Sequence, residues 1–259
     1  MRELERESTR NRRASALAIV GPGRVGRSVS RALRAAGLEH SLHGRGEPVD
    51  PAARIVLLCV PDGEIGDACE ATAGNVRFVG HTSGATGLDV LAAATSRGAG
   101  AFSLHPLMSV PDGRTELAGA PCALAADDEE ALAVARELAE ALGMRPFDVP
   151  EESRTAYHAA ACIASNFLVA LEESAVELLE RAGVDDGREL LSTLVLRSAA
   201  NWSERGAAAL TGPIARGDEA TVAAHLEAIA AADPELLDLY RALAERTRAV
   251  AGRTGEPAR

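Results

Sequence analysis

Three short phrases hold the side chains of this 259-residue sequence that can do acid–base chemistry: His81-Thr82-Ser83-Gly84, His105-Pro106, and His158 followed by Asn166. Free imidazole titrates near about 6.5, so a histidine can hold and release a proton at neutral pH. The 27 basic residues are all arginines. Without a lysine, Schiff-base chemistry and a lysine general acid are excluded. Reduction of a carbonyl needs a hydride, a proton for the growing alkoxide, and donors that hold the substrate. His158 is then the natural proton donor. On a helix, residues 158, 162 and 165 share a face with Asn166 at its flank, so they can line one wall of a cleft. Ser83 could hydrogen-bond a substrate, Gly84 would admit close backbone approach, and His105 is a further catalytic candidate. The competing reading makes His158 and Asn166 interface residues bonded between domains, and His81 and His105 loop caps.

A second group of residues binds rather than reacts. Gly21-Pro22-Gly23-Arg24-Val25-Gly26 is a G-x-G-x-x-G phrase between an apolar run and a helical pattern. The first glycine permits a tight turn, the second lets a pyrophosphate reach backbone N–H groups at a helix N-terminus, and the third lets helix and strand pack closely. An ordinary glycine-rich turn is the alternative. Val60-Pro61 and His81, at the ends of later strands, extend the expected cofactor wall. The second strand ends in Gly44-Arg45, where an NAD-binding protein would place an acid. A missing carboxylate removes repulsion against a 2′-phosphate and Arg45 can pair with it, so NADP is favoured over NAD. The competing reading of Arg45 is a solvated turn arginine.

The elements that must position these groups follow from apolar periodicity. Short apolar runs at 16–20, 39–43, 54–60, 76–80, 101–104, 121–126 and 145–149 read as strands, with helices at 25–36 and 128–142. Strands alternating with helices imply a doubly wound Rossmann sheet with its ligand crevice at the strands' carboxyl ends, where each polar phrase falls. From Glu151 the pattern becomes all-α, and 153–182 runs thirty residues without a turn signal. The expected organisation is a disordered arm (1–14), a Rossmann domain (15–150), a helical substrate and dimerisation domain (151–252) and a tail (253–259). Aromatics at 3% against 47% apolar residues imply helices packed through small side chains.

A formal charge of −11 leaves no attraction for nucleic acid. The widely spaced Cys59, Cys69, Cys122 and Cys162 suggest core thiols of a reduced compartment rather than metal ligands. No stretch is expected to span a membrane, which gives a cytoplasmic protein without a metal. The alanine-rich helix exposes an apolar stripe that predicts a homodimer. In the second half, Thr211 to Asp218 forms a Pro/Gly-constrained loop; Asp218 reads as an N-cap and His225 as a surface residue. Arg216, with Thr211, is suited to clamping a substrate carboxylate. Asn201-Trp202 could line the same cleft, although a lone tryptophan is more often core.

Taken with Tyr157-His158-Ala159-Ala160-Ala161, His105-Pro106-Leu107 and Leu210-Thr211-Gly212-Pro213-Ile214-Ala215-Arg216-Gly217-Asp218, the chain resembles, from about 16 to 251, a bacterial family of Rossmann-like proteins with a helical domain of unknown function numbered 2520. That resemblance implies an NADP-dependent oxidoreductase fold related to 6-phosphogluconate dehydrogenase-like enzymes, including its helical C-terminal domain. The phrase Asn166-Phe167-Leu168-Val169-Ala170-Leu171 is also similar to one in ketopantoate reductases. There His158 and Cys162 stand where that family carries a lysine and an asparagine. His105-Pro106 is similar to a phrase of prephenate dehydrogenases. The function expected is NADP-dependent reduction of a small carbonyl substrate, with a 2-oxo acid such as ketopantoate one candidate. The alternatives are a non-catalytic NADP-binding sensor and a pyrroline-type imine reductase.

Overall fold

The structure, a computed structural model, describes residues 17–72 and 76–254. The expected arm at 1–14 and most of the tail lie outside the described residues. The chain forms two compact units, Met1–Cys162 and Ile163–Arg259. They part twelve residues beyond the change of pattern at Pro150, so the first turns of helical sequence belong with the sheet.

In the first unit β1 (Leu17–Val20), β2 (His40–His43), β3 (Ile55–Leu58), β4 (Phe78–His81), β5 (Gly100–Pro106), β6 (Pro121–Ala126) and β7 (Arg145–Asp148) form one sheet in the order β2-β1-β3-β4-β5-β6-β7. The helices α1 (Arg24–Ala35), α2 (Ile65–Ala71), α3 (Ala92–Thr95) and α4 (Glu129–Ala141) lie between them. The first five strands are mutually parallel, and β6 turns antiparallel to β5. The reason lies in the connection. A parallel return needs a crossover, usually a helix, and residues 107–120 contain none. The sheet is thus a Rossmann sheet whose last two strands run the other way, β7 being parallel to β6.

The pleat sends alternate residues to opposite faces. Ile19, Leu57, Phe102 and Leu124 pack with Val29 and Leu33 of α1 and Val134 and Leu138 of α4. Ala18, Val56, Leu58 and Val79 face the other way, onto Ile65, Cys69 and Leu91. Gly80 makes room for Phe102, whose ring atoms would lie 2.3–2.6 Å from a β-carbon there. Asp128 starts α4 as its N-cap, accepting from the Ala131 N–H, with Glu129 and Glu130 in the first turn.

The helical region begins with α5 (Arg154–Ala164) and continues in the second unit with α6 (Asn166–Arg181), α7 (Gly187–Arg205), α8 (Pro213–Arg216), α9 (Glu219–Ala232) and α10 (Leu237–Thr254). The expected unbroken helix over 153–182 is divided at Ser165, whose dihedrals (φ −122°, ψ −71°) leave the helical well. Ser165-Asn166 are poor helix formers, because their side chains compete for backbone hydrogen bonds. Asp218 caps α9, accepting from the Thr221 N–H, and His225 is hydrogen bonded to Tyr240 on the surface. Contrary to expectation, Glu151–Arg181 taken as one stretch is long and apolar enough to cross a membrane by length and composition. The Tyr157-His158 and Ser165-Asn166 pairs interrupt it with polar groups that hydrocarbon would leave unpaired. Trp202 is not core either: it is 67% exposed.

Candidate active site

At the carboxyl end of β1, Gly21 (φ +102°) turns the chain, and a β-carbon there would stand 2.5 Å from the Cys59 carbonyl oxygen. Gly26 meets the same turn: a β-carbon would lie 2.0 Å from the Gly21 carbonyl oxygen. Gly23, the residue before α1, has open space where its β-carbon would stand. Two glycines are therefore required by packing, while the middle one faces a free approach to the start of α1. Pro22 and Arg24 are exposed beside it and Val25 is half-buried. Val60 and Pro61 follow β3, with a Val60 methyl 3.0 Å from the same Gly21 position. The chain order reverses between β1 and β3, which is where an open α/β sheet leaves its ligand crevice. This cradle fits a dinucleotide pyrophosphate on the helix N-terminus. Arg45 lies just beyond β2 with its side chain 80% exposed, and it forms an ion pair with Glu64.

A polar cluster occupies the carboxyl ends of β4 and β5. His81 closes β4 and is completely buried, with no hydrogen-bond partner for either ring nitrogen among the described residues. Burial, helped by the Arg154 charge, pushes its pKa down to about 4, so the ring is neutral at pH 7. Ser83 organises the following loop: its hydroxyl accepts from the Ala85 and Thr86 N–H groups and donates to Thr86 Oγ1. Its donor and both lone pairs are thus engaged within its own loop, which favours positioning Gly84 over touching substrate.

Gly84 brings the three phrases together. A β-carbon on it would lie 2.7 Å from Cε1 and 2.8 Å from Nε2 of His105, and 2.8 Å from Cδ2 of His158. The two imidazoles, with ring centroids 6.2 Å apart, therefore converge on one bare backbone position. His105 Nδ1 is hydrogen bonded to the Tyr157 hydroxyl at 2.7 Å. Burial and then the neighbouring His158 push His105 down to about 4, while burial pushes the Tyr157 phenol up to about 12. Both are neutral at physiological pH. Cys162, one turn beyond His158 on α5, places its sulfur 3.8 Å from His158 Nδ1. Cys59, Cys69 and Cys122 are buried as expected, whereas Cys162 is half-exposed at this cluster.

Two members of the cluster were not singled out from sequence. Arg154, only 5% exposed, donates to Ser103 Oγ and to Glu151. Glu151 in turn accepts from the Leu88 N–H, tying the start of α5 to the loop after β4. Nothing in the spacing marks Arg154 beyond its place three residues after Glu151. Tyr157 stood in a recognised phrase, but its contact with His105 crosses 52 residues of chain. The other expected site residues, Asn166, Thr211 and Arg216, are exposed and belong to the second unit. Among the described residues no group of three or more His, Cys, Asp or Glu side chains could hold a metal ion.

The fold and site together define a Rossmann-type protein with a glycine cradle at its sheet crevice and paired imidazoles beside it. Residues 45–106 match the Rossmann-like domain and residues 120–247 match the domain of unknown function DUF2520. The chain is thus a Rossmann-like protein carrying the DUF2520 domain, as its motifs led one to expect. No curated protein matches its sequence. Among solved structures it is similar to a protein from Thermotoga maritima at 25% identity and TM-score 0.76, covering 93% of this chain and 100% of that one. A protein from Bacteroides fragilis, provisionally described as an NADP oxidoreductase, aligns at 20% identity and TM-score 0.74, covering 90% and 97%. A reductive aminase from Aspergillus terreus, solved with NADPH and ethyl levulinate, aligns at 19% identity and TM-score 0.63, covering 93% and 94%.

Proposed function

We propose that the protein is an NADP-dependent oxidoreductase that reduces a small carbonyl compound. The observation that carries this reading is the convergence of His105 and His158 on Gly84, at the same edge of the sheet as the glycine cradle. The NADP-related descriptions of its structural neighbours support the cofactor. When bound, the reduced nicotinamide would supply the hydride.

The chain's own residues do the rest. Gly21, Gly23 and Gly26 hold the pyrophosphate against the first turn of α1. Pro22, Arg24, Val25, Val60 and Pro61 border it, and Arg45 pairs with the 2′-phosphate. That requires Arg45 to exchange Glu64 for phosphate, a small barrier because an exposed ion pair is worth about 0–1 kcal/mol. His158 gives its proton to the oxygen of the substrate as that oxygen becomes an alkoxide, and Cys162 holds the other edge of the ring. His105 lies opposite, and His81 with Ser83 and Arg154 fixes the loop that carries Gly84. A 2-oxo acid such as ketopantoate is one candidate substrate.

The test is NADPH oxidation against a panel of 2-oxo acids, aldehydes and cyclic imines. His158→Ala should lower kcat by about 10²- to 10⁴-fold with NADPH affinity nearly unchanged. Full activity in that variant would remove His158 as donor. A second reading, reduction of an imine, is favoured by the similarity to a reductive aminase.

The second unit is proposed to pair with a second copy of the chain. Phe167 and Val169 on α6 and Leu190, Leu194 and Leu196 on α7 are exposed, Leu196 at 70%. A soluble monomer rarely leaves so many large apolar groups on adjoining helices. Three buried thiols and use of NADPH suit the cytoplasm.

A further inference from the structure

We infer that Tyr157 is a positioning residue that fixes His105 as a neutral hydrogen-bond donor through Nε2, so that the site takes a carbonyl oxygen and not an iminium nitrogen. The inference rests on the oxidoreductase reading for its substrate class but not for the tautomer.

The contact between Tyr157 and His105 Nδ1, at 2.7 Å, can be made in two ways. The phenol donates to a bare Nδ1, or Nδ1–H donates to the phenol oxygen. A phenol O–H is a much stronger acid than a neutral imidazole N–H, and a ring nitrogen lone pair is a better acceptor than a phenol oxygen. The surroundings agree with this order. Tyr157 Oη has no other hydrogen-bond partner among the described residues, so the second arrangement would leave the phenol proton without an acceptor in a half-buried place. In the first arrangement both groups are satisfied and the ring's single proton is on Nε2.

The charged and titratable groups around His105 keep the ring neutral. His158, Arg154 and Tyr157 face it from α5, His81 from β4, and Asp62 from the loop after β3. Burial, His158 and Arg154 all oppose a second proton, and only Asp62 favours one. The edge formed by the Tyr157 and Phe147 rings, whose centroids are 6.1 Å apart, steadies the phenol from the sheet side.

Nε2 of His105 has no partner among the described residues and lies 2.8 Å from the point where a Gly84 β-carbon would stand, beside the edge of His158. A substrate carbonyl oxygen that reaches this nitrogen would accept from Nε2–H, and the bond would strengthen as negative charge grows on oxygen. His105 keeps its proton throughout. An iminium carries N–H or N–C bonds and no lone pair, so it offers nothing for Nε2–H to donate to. Had the ring been held as the Nδ1–H tautomer, the bare Nε2 would instead suit an iminium N–H. The tyrosine therefore selects the substrate class.

The experiment reads the tautomer directly, by long-range ¹H–¹⁵N correlation spectra of the histidine rings in the full-length ¹⁵N-labelled protein, with His105 assigned from a His105→Gln variant. The expected result is a single Nε2–H tautomer for His105, which becomes a mixture of tautomers in Tyr157→Phe. An Nδ1–H tautomer or an imidazolium in the unmodified protein, or an Nε2–H signal unchanged in Tyr157→Phe, would overturn the positioning role. For the substrate class, ketones or aldehydes should turn over at least about tenfold faster than N-alkylated cyclic iminium ions with NADPH, and any smaller or reversed preference would overturn it. NADPH binding is followed separately by fluorescence. Failure to bind would sink the oxidoreductase reading and the substrate class with it, and would be distinguishable from a wrong tautomer.

Discussion

Gly84→Ala adds one methyl group at the place where both imidazoles converge. Its β-carbon would stand 2.7 and 2.8 Å from His105 atoms and 2.8 Å from His158. Carbon contacts settle at about 3.5–4.0 Å, so each ring must retreat by close to an ångström. The backbone at Gly84 is not in the left-handed region, so the substitution adds no conformational strain and its effect is packing alone. His105 cannot retreat without disturbing its hydrogen bond to Tyr157. Overpacking of this kind costs about 1–3 kcal/mol of stability. A misplacement of about 1 Å at reacting groups costs on the order of 10²-fold in rate. The expected outcome is a folded protein with a modestly lower Tm, unchanged NADPH affinity by fluorescence titration, and kcat lower by about 100-fold. If kcat stays within twofold of the parent while the protein melts normally, the imidazole pair is not the reacting centre.

Arg45→Ala should narrow the preference for NADPH over NADH by about 1.5–3 kcal/mol, the worth of a charge-assisted pair. Glu64→Gln should instead tighten NADPH binding slightly by freeing Arg45; an unchanged preference in both variants would remove Arg45 from the cofactor site. His81 binds a proton near 6.5 in the unfolded chain but only near 4 when folded. Between those values the unfolded state holds more protons, so stability is complete above about pH 6.5 and is lost as pH falls toward 4. For His81 the loss amounts to about 3 kcal/mol at most. Urea melts at pH 7 and pH 5 should show it, and His81→Phe should flatten the slope. Light scattering should give a dimer at micromolar concentration that Leu194→Glu dissociates, and a monomer in the unmodified protein would refute the pairing of the helical unit.

Most of the sheet was legible in the sequence because its strands are short apolar runs ended by glycine, proline or polar phrases. All seven runs became strands with ends shifted by at most two residues. Each candidate histidine could likewise be placed at a strand end or on a helix, since position along an element depends on local spacing. The division at Ser165 was hidden because alanine-rich flanks carry a strong helical signal that one serine–asparagine pair barely lowers. The reversal at β6 was recoverable in principle from a connection too irregular to be a crossover helix. Which of these groups meet is settled by packing in three dimensions. Tyr157 reaches His105 across 52 residues, Arg154 is drawn under the sheet edge to Ser103, and Gly84 is left bare between two rings. Such contacts are set by the packing of α5 against the ends of β4 and β5, a relation that no periodicity along the chain encodes. The elements, the glycine cradle and the absence of lysine can be read from the order of residues alone. Protonation states and tautomers awaited the fold, because they depend on burial and on neighbours that are remote in the chain.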